Sequence, residues 1–151
     1  MRIGVDLGGT KIEVAVLGPN SEMLLRERTA TPAGDYNATV RAIRDMILSA
    51  EAKLGIKGTV GLATPGAISP KTGLIKNSNS TALIGHPLDR DLARLLNRPV
   101  RIANDANCFA LSESVDGAAA GHSLVFGIIV GTGCGGGIAF DRRVWTGPNA
   151  I

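Results

Sequence analysis

The stretch SLVFGIIVGTGCGGGIAF, Ser123 to Phe140, carries no charged residue and is long enough to suggest a membrane span. It also contains six glycines, five of them between Gly131 and Gly137. Such a cluster makes a poor continuous helix, since each glycine costs helix stability that a membrane span would need. Gly-xxx-Gly spacings match a transmembrane interface by letter only. Two strands around a glycine turn fit better, with HSLVFGIIV before the turn and GGGIAF after it.

That reading finds a counterpart at the other end of the chain. RIGVDL is a short apolar strand, GGT a turn, and KIEVAVLG an alternating strand that follows it. The repeated strand–glycine turn–strand pattern predicts two related units. The first spans residues 1–118, and the second opens after the small, flexible DGAAAG segment and covers residues 119–151. Between them, LLRERTATP is expected as a third strand ended by Pro32. Val40, Ile43, Ile47, Ala50 and Leu54 recur at helical spacing, and Gly55 supplies a stop. GTVGLATPG reads as a buried strand and GLIKNSNSTALIG as mostly loop. PLDRDLARLLN is an amphipathic helix, PVRIAND a strand, ANCFALSESV a helix and RRVWTG a final strand. The order β-β-β-α-β-α-β-α-β-β-β predicts an α/β layered fold with a mixed sheet and an initial meander.

Composition bounds the function. The chain of 151 residues has 44% hydrophobic and 19% charged residues, as an ordinary globular protein does. Its net charge of +3 comes with arginines scattered along the chain and only 3% aromatic residues. Neither a dense basic tract nor a stacking platform points to nucleic acid. Asp6 interrupts the first apolar run, against a signal peptide. Cys108 and Cys134 match no metal or redox spacing, so reduced thiols in the cytoplasm are expected.

Bare amides in a glycine turn can converge on an anion. DLGGTK (Asp6 to Lys11) and GTGCGGG (Gly131 to Gly137) occupy matching places, and each contains Gly-Thr. Either alone reads as a flexible hairpin, but the pair points to phosphate. Gly131, Gly133 and Gly136 satisfy G-x-G-x-x-G by letter, yet a strand follows where a dinucleotide fold needs a helix. Lys11 lacks the preceding glycine spacing of a P-loop. Asp6 has two open readings, an Asx turn or a carboxylate that orients a nucleotide's magnesium through water.

ANDANCFALSE (residues 103–113) poses a similar choice. Asn104 and Asp105 end a strand and begin a helix, where both are preferred caps. Ligands of open α/β sheets also bind at the carboxyl ends of strands, and helix N-termini favour negative charge. Asp105 would then accept a hydroxyl proton during phosphoryl transfer, and Asn104 would bond sugar hydroxyls. KNSNST (residues 76–81) resembles the amide-and-hydroxyl lining of a carbohydrate site.

Together, DLGGTKIEVAVLG, GLATPGAISPKTGLIKNSNSTALIG, ANDANCFALSE and GTGCGGGIAF resemble the ROK family of bacterial sugar kinases and sugar-responsive repressors. GAISPKTGLIKNSNST and DGAAAG look most like the fructokinases (mannofructokinases), with N-acetylglucosamine kinases next. The resemblance implies the actin-like ATPase (ribonuclease H-like) fold and ATP-dependent phosphorylation of a hexose, fructose at its 6-hydroxyl. Alternatives are N-acetylglucosamine, mannose or glucose, or a sugar-sensing regulator; in that last case a helix-turn-helix would precede DLGGT. It implies Asp105 as base, and Gly66, Asn79 and Asn104 beside the sugar. Asp6, Gly8, Gly9, Thr10 and Lys11 would form the first phosphate loop, with Asp6 at Mg2+. Gly131, Thr132, Gly133, Gly135 and Gly136 would form the second, and Cys108 would pack in a helix. The family also implies a homodimer and a structural zinc whose cysteine-rich site this chain lacks. Family members continue for about as long again, so the chain is expected to be truncated and inactive alone.

Overall fold

The computed structural model describes residues 1–131, 133–148 and 150. The first strands are β1 (Arg2–Leu7), β2 (Lys11–Leu17) and β3 (Met23–Ala30), followed by helix α1 (Tyr36–Leu54). Next come β4 (Thr59–Thr64), the short β5 (Ala67–Ile68) and β6 (Ile75–Lys76), a 3-10 turn (Thr81–Leu83) and α2 (Leu88–Leu96). The chain continues through β7 (Val100–Asn104), α3 (Asp105–Val115), β8 (Leu124–Val130), β9 (Cys134–Phe140) and β10 (Arg143–Val144). This is the expected element order with two changes. The 67–76 loop holds a small antiparallel hairpin, and the last strand is only two residues long.

A five-stranded sheet runs β3-β2-β1-β4-β7. Its first three strands are antiparallel, and β4 and β7 join parallel to β1. Alternation sends Ile3, Val5 and Leu7 of β1 and Ile12, Val14 and Val16 of β2 to one face. These side chains form a single buried cluster with Val40, Ile43, Ile47 and Ala50 of α1 and Leu88 and Leu92 of α2. Each large aliphatic side chain contributes roughly 1.5–3 kcal/mol by leaving water.

Local signals set the helix ends. Asp35 Oδ1 accepts from the Ala38 N–H at 2.9 Å, capping α1 at its start. Gly55 closes it in the left-handed conformation at φ 62°. Glu51 of α1 is buried, and its Oε1 accepts from Arg98 Nη1 at 2.6 Å and from the Gly58 N–H at 3.1 Å. That ion pair ties α1 to the segment following α2.

The Ser123–Phe140 stretch is an antiparallel hairpin, with Phe126 opposite Ile138 and Ile129 opposite Gly135. With β10 it forms a separate three-stranded sheet. Among the described residues no helix is long and apolar enough to cross a membrane. One face of this sheet lies under α3, where Val125 and Ala139 pack with Ala110. The other face presents Leu124, Phe126, Ile128, Val130, Ile138 and Phe140 to solvent, with Trp145 exposed beside Ile138.

Candidate active site

The sheets meet at a cleft of about 510 Å³ whose walls come from both glycine turns and from three loops and caps between them. Gly8 and Gly9 enter from the β1–β2 turn, Gly66 and Asn79 from the segments around the β5–β6 hairpin, and Asn104 and Asp105 from the β7–α3 junction. Gly131, Gly133, Gly135 and Gly136 line the opposite side. Ten of the fourteen residues singled out from sequence therefore share one cavity.

The first turn is held by the residue that follows β3. The Gly8 N–H donates to Lys11 O at 2.9 Å, and Thr31 Oγ1 donates to Gly8 O at 2.8 Å. Thr10 lines a neighbouring cavity, and Lys11 lines neither. Asp6, the penultimate residue of β1, is not among the residues that line the cleft. Loss of solvent around its carboxyl pushes its pKa up, Asp105 and Glu13 push the same way, and Lys11 pulls it down. Thr132 of the second turn lies outside the described residues.

Gly66 requires glycine twice over. Its φ is 88°, and a Cβ there would lie 2.5 Å from Lys76 O. Asn104 explains how this turn is oriented. Its Oδ1 accepts from the Ala106 N–H at 3.0 Å and the Asn107 N–H at 3.3 Å, so Asn104 is the cap of α3. Its Nδ2 donates to Gly66 O at 3.0 Å, pinning the Pro65–Gly66 turn to the helix start. One amide hydrogen of Asn104 remains to meet a ligand, while its acceptor is occupied.

Asp105 is the first residue of α3. Its Oδ1 accepts from the Ala106 N–H at 2.8 Å, while Oδ2 takes no hydrogen bond from the described residues. Cys108, one turn on, is half-buried. Burial raises its thiol pKa, with Asp105 and Asp6 adding to the effect, which leaves a protonated packing group.

Close approach explains the glycines of β9. A Cβ on Gly137 would come within 2.6 Å of the Ala106 carbonyl carbon and 2.8 Å of Asn107 Cα. A Cβ on Gly127 would meet Ala110 Cβ at 3.0 Å. The bare strands let the first turn of α3 rest directly on the hairpin. That seat carries Asp105 to the second glycine turn, and a Cβ on Gly133 would lie 3.1 Å from Asn79 Nδ2.

Sequence reading missed Pro65, Ala67, Ile129 and Cys134, which also line the cleft together with Asn77 of KNSNST and Asn107 of ANDANCFALSE. Asn107 offered a signal, since it stands three residues after Asn104 and shares its helix face. Among the described residues no three His, Cys, Asp or Glu side chains cluster to hold a metal.

A family model for the ROK family matches residues 2–151. The chain belongs to the ROK family. It is 40% identical over 151 residues to an N-acetyl-D-glucosamine kinase of Yersinia pestis, covering all of this chain and 59% of that protein. It is 42% identical to an N-acetylgalactosamine kinase of a Shewanella species, covering all of this chain and 49% of that one. The solved ROK glucokinase of Streptomyces griseus, in complex with glucose and AMPPNP, superposes with a TM-score of 0.84 at 30% identity. That match covers 99% of this chain and 47% of the glucokinase. The chain thus spans about half the length of the curated relatives it matches, and its α/β fold is the actin-like ATPase arrangement of the family's sugar kinases.

Proposed function

We propose that this chain forms the hexose-binding half, and part of the phosphate-binding half, of an ATP-dependent sugar kinase. The observation that carries the reading is the convergence of both glycine turns, Asn79 and Asp105 on one cleft. Glycine amides on two sides suit a polyphosphate, and a carboxylate oxygen without a donor among the described residues suits a reacting hydroxyl. In this reading Asp105 takes the proton of a sugar hydroxyl as its oxygen attacks the γ-phosphorus of ATP, and ADP leaves. Gly66, Asn79 and the remaining Asn104 hydrogen orient the sugar. Gly8, Gly9, Thr10 and Lys11 on one side, and Gly131 to Gly136 on the other, serve the phosphates.

Asp6 and Asp105 place two carboxylates in one neighbourhood with Lys11 as the opposing charge on Asp6, a setting that favours a further cation. Asp6 would hold Mg2+, which is commonly bound through one or two carboxylates plus substrate phosphates. When bound, that ion neutralises charge on the phosphates.

The names of the curated relatives support N-acetylhexosamine as substrate over the fructose suggested by the sequence motifs. A lobe boundary near residue 118, a homodimer and a cytoplasmic setting belong to the same proposal. Two separate sheets support the boundary, although α3 precedes it and packs on β8 and β9.

Asp105→Asn, made in the gene product that carries residues 1–151, tests the base. The amide keeps an oxygen for the Ala106 N–H, so α3 persists while proton acceptance is lost. Turnover is expected to fall by roughly two to four powers of ten, with a smaller change in sugar affinity. A variant that phosphorylates sugar at the parent rate returns Asp105 to a purely structural place.

A further inference from the structure

A cavity of about 220 Å³ lies between α1 and α2 and shares no lining residue with the cleft. Its charged lining is Arg41 and Arg44 of α1 with Asp91 and Arg94 of α2. Three guanidinium groups thus face one carboxylate, an excess of two positive charges around a small space.

That carboxylate is engaged at both oxygens. Asp91 Oδ1 accepts from Arg94 Nη2 at 3.0 Å, and Oδ2 accepts from the Tyr36 hydroxyl at 2.7 Å. Arg44 bonds the carboxylate of its chain neighbour Asp45, whose side chain is 61% exposed. An ion pair so open to water neutralises little. Arg41 has no carboxylate within ion-pair distance among the described residues. Arg41 and Arg44 stand three residues apart on one face of α1, and Arg94 comes from the other helix. Like charges gathered in this way repel, and an anion between them removes the repulsion.

The donors also define the shape of the anion. Each guanidinium presents its N–H groups in a planar fork that matches carboxylate or phosphate oxygens. Three forks drawn from two helices suit a tetrahedral anion with three terminal oxygens, as a phosphate monoester has. A carboxylate offers only two, in one plane. Tyr36 lines the same space with its ring stacked on His86, centroids 3.9 Å apart and planes at 14°, so this wall is preformed.

We propose that the α1–α2 groove binds a phosphate group, free or at the end of a monoester, at a site separate from the cleft. Arg41 is the anchor, Arg44 closes on the anion from the same helix, and Arg94 joins through the N–H groups that Asp91 leaves free. The site stands independently of the sugar-kinase reading, since no cleft residue takes part.

The test uses the gene product that carries residues 1–151, at constant ionic strength so that general screening stays fixed. Inorganic phosphate, glucose 6-phosphate, acetate and a polyglutamate peptide are titrated in turn while arginine Nε–H and backbone amide signals are followed by NMR. Both phosphates are expected to shift the Arg41, Arg44 and Arg94 signals along one saturable curve, and acetate is not. Arg41→Gln, at an exposed position, is expected to weaken phosphate binding roughly 10-fold with Tm unchanged. Arg94→Gln, on the other helix, is expected to act in the same direction. Tighter binding of glucose 6-phosphate upholds the site and assigns it to the ester, and equal affinities uphold it for the anion alone. Shifts that never saturate, shifts that acetate reproduces, or unchanged affinity in both variants overturn it, the arginines then being a solvated face. Shifts confined to the glycine turns overturn it and leave the cleft reading standing. Saturation by polyglutamate with no response to phosphate makes the groove a protein-docking face and overturns it as well.

Discussion

The two glycine-turn hairpins distribute bulk in opposite ways. In β1–β2, large side chains face the helices, and Ile3, Val5, Leu7, Ile12, Val14 and Val16 interlock with α1 and α2. In β8–β9, the face beneath the helix is small, with Gly127, Gly135, Gly137 and Ala139 set against α3, while the large side chains point away. A bulky face keeps a helix at side-chain distance. A bare face admits its backbone, and here that brings the start of α3 to the second glycine turn. The first hairpin supplies cohesion and the second supplies placement.

Glycine-to-alanine changes should separate these uses most sharply. Gly137→Ala drives a methyl into the backbone of Ala106 and Asn107, neither of which can swing aside. A loss of about 3 kcal/mol in denaturant unfolding is expected. Gly61→Ala, on β4 of the first sheet, meets nothing within 4 Å and should stay within about 0.5 kcal/mol of the parent. Equal costs at both sites would erase the contrast.

A smaller effect probes the first sheet's helix layer. Burial opposes the ionised form of Glu51, yet the Arg98 guanidinium and the Gly58 N–H hold its carboxyl below the ordinary value of 4.5. A depressed folded pKa means that the stabilisation is present above about pH 4.5 and fades as pH falls through the folded value. Glu51→Gln leaves Arg98 largely buried without its charge partner and is expected to cost about 2 kcal/mol at pH 7. The gap in Tm between parent and variant should narrow below about pH 4.5. A gap that stays constant to pH 3 would show that the ion pair does not carry it.

The smallest change in stability is expected on the open side of the second sheet. Contiguous exposed apolar patches of this kind favour association. A polypeptide of residues 1–151 is expected to self-associate at micromolar concentration. Phe126→Asp should shift it toward monomer in sedimentation velocity, with folding stability altered by only about 0.5 kcal/mol. A monomeric parent would show that this face does not adhere to itself.

Much of this molecule is legible in its sequence, and the exceptions have physical causes. Alternation in RIGVDL and KIEVAVL and helical recurrence from Val40 to Leu54 express burial directly, so the strands and α1 could be read off. The β5–β6 hairpin could not, because two-residue pairing leaves no period. Glycines resist assignment for a different reason. An anion loop and a close helix contact both demand a missing Cβ, so Gly131 and Gly137 look alike until the path of α3 is known. At Asn104 the two readings coexist, since it caps α3 and also lines the cleft with Asp105.

The seat of α3 on β9 also has a mechanical consequence. Backbone resting on backbone leaves no slack for sliding or rotation, so α3 and the β8–β9 hairpin travel as one body. The compliant joint then falls at the β7–α3 junction, where strand passes directly into helix between Asn104 and Asp105. If the cleft opens and closes there, Asp105 keeps its distance from the Gly131–Gly136 loop throughout the stroke. What changes is its separation from Asn79 and Gly66, and the Asn104 Oδ1 cap on the Ala106 and Asn107 N–H groups becomes the tether that limits the swing.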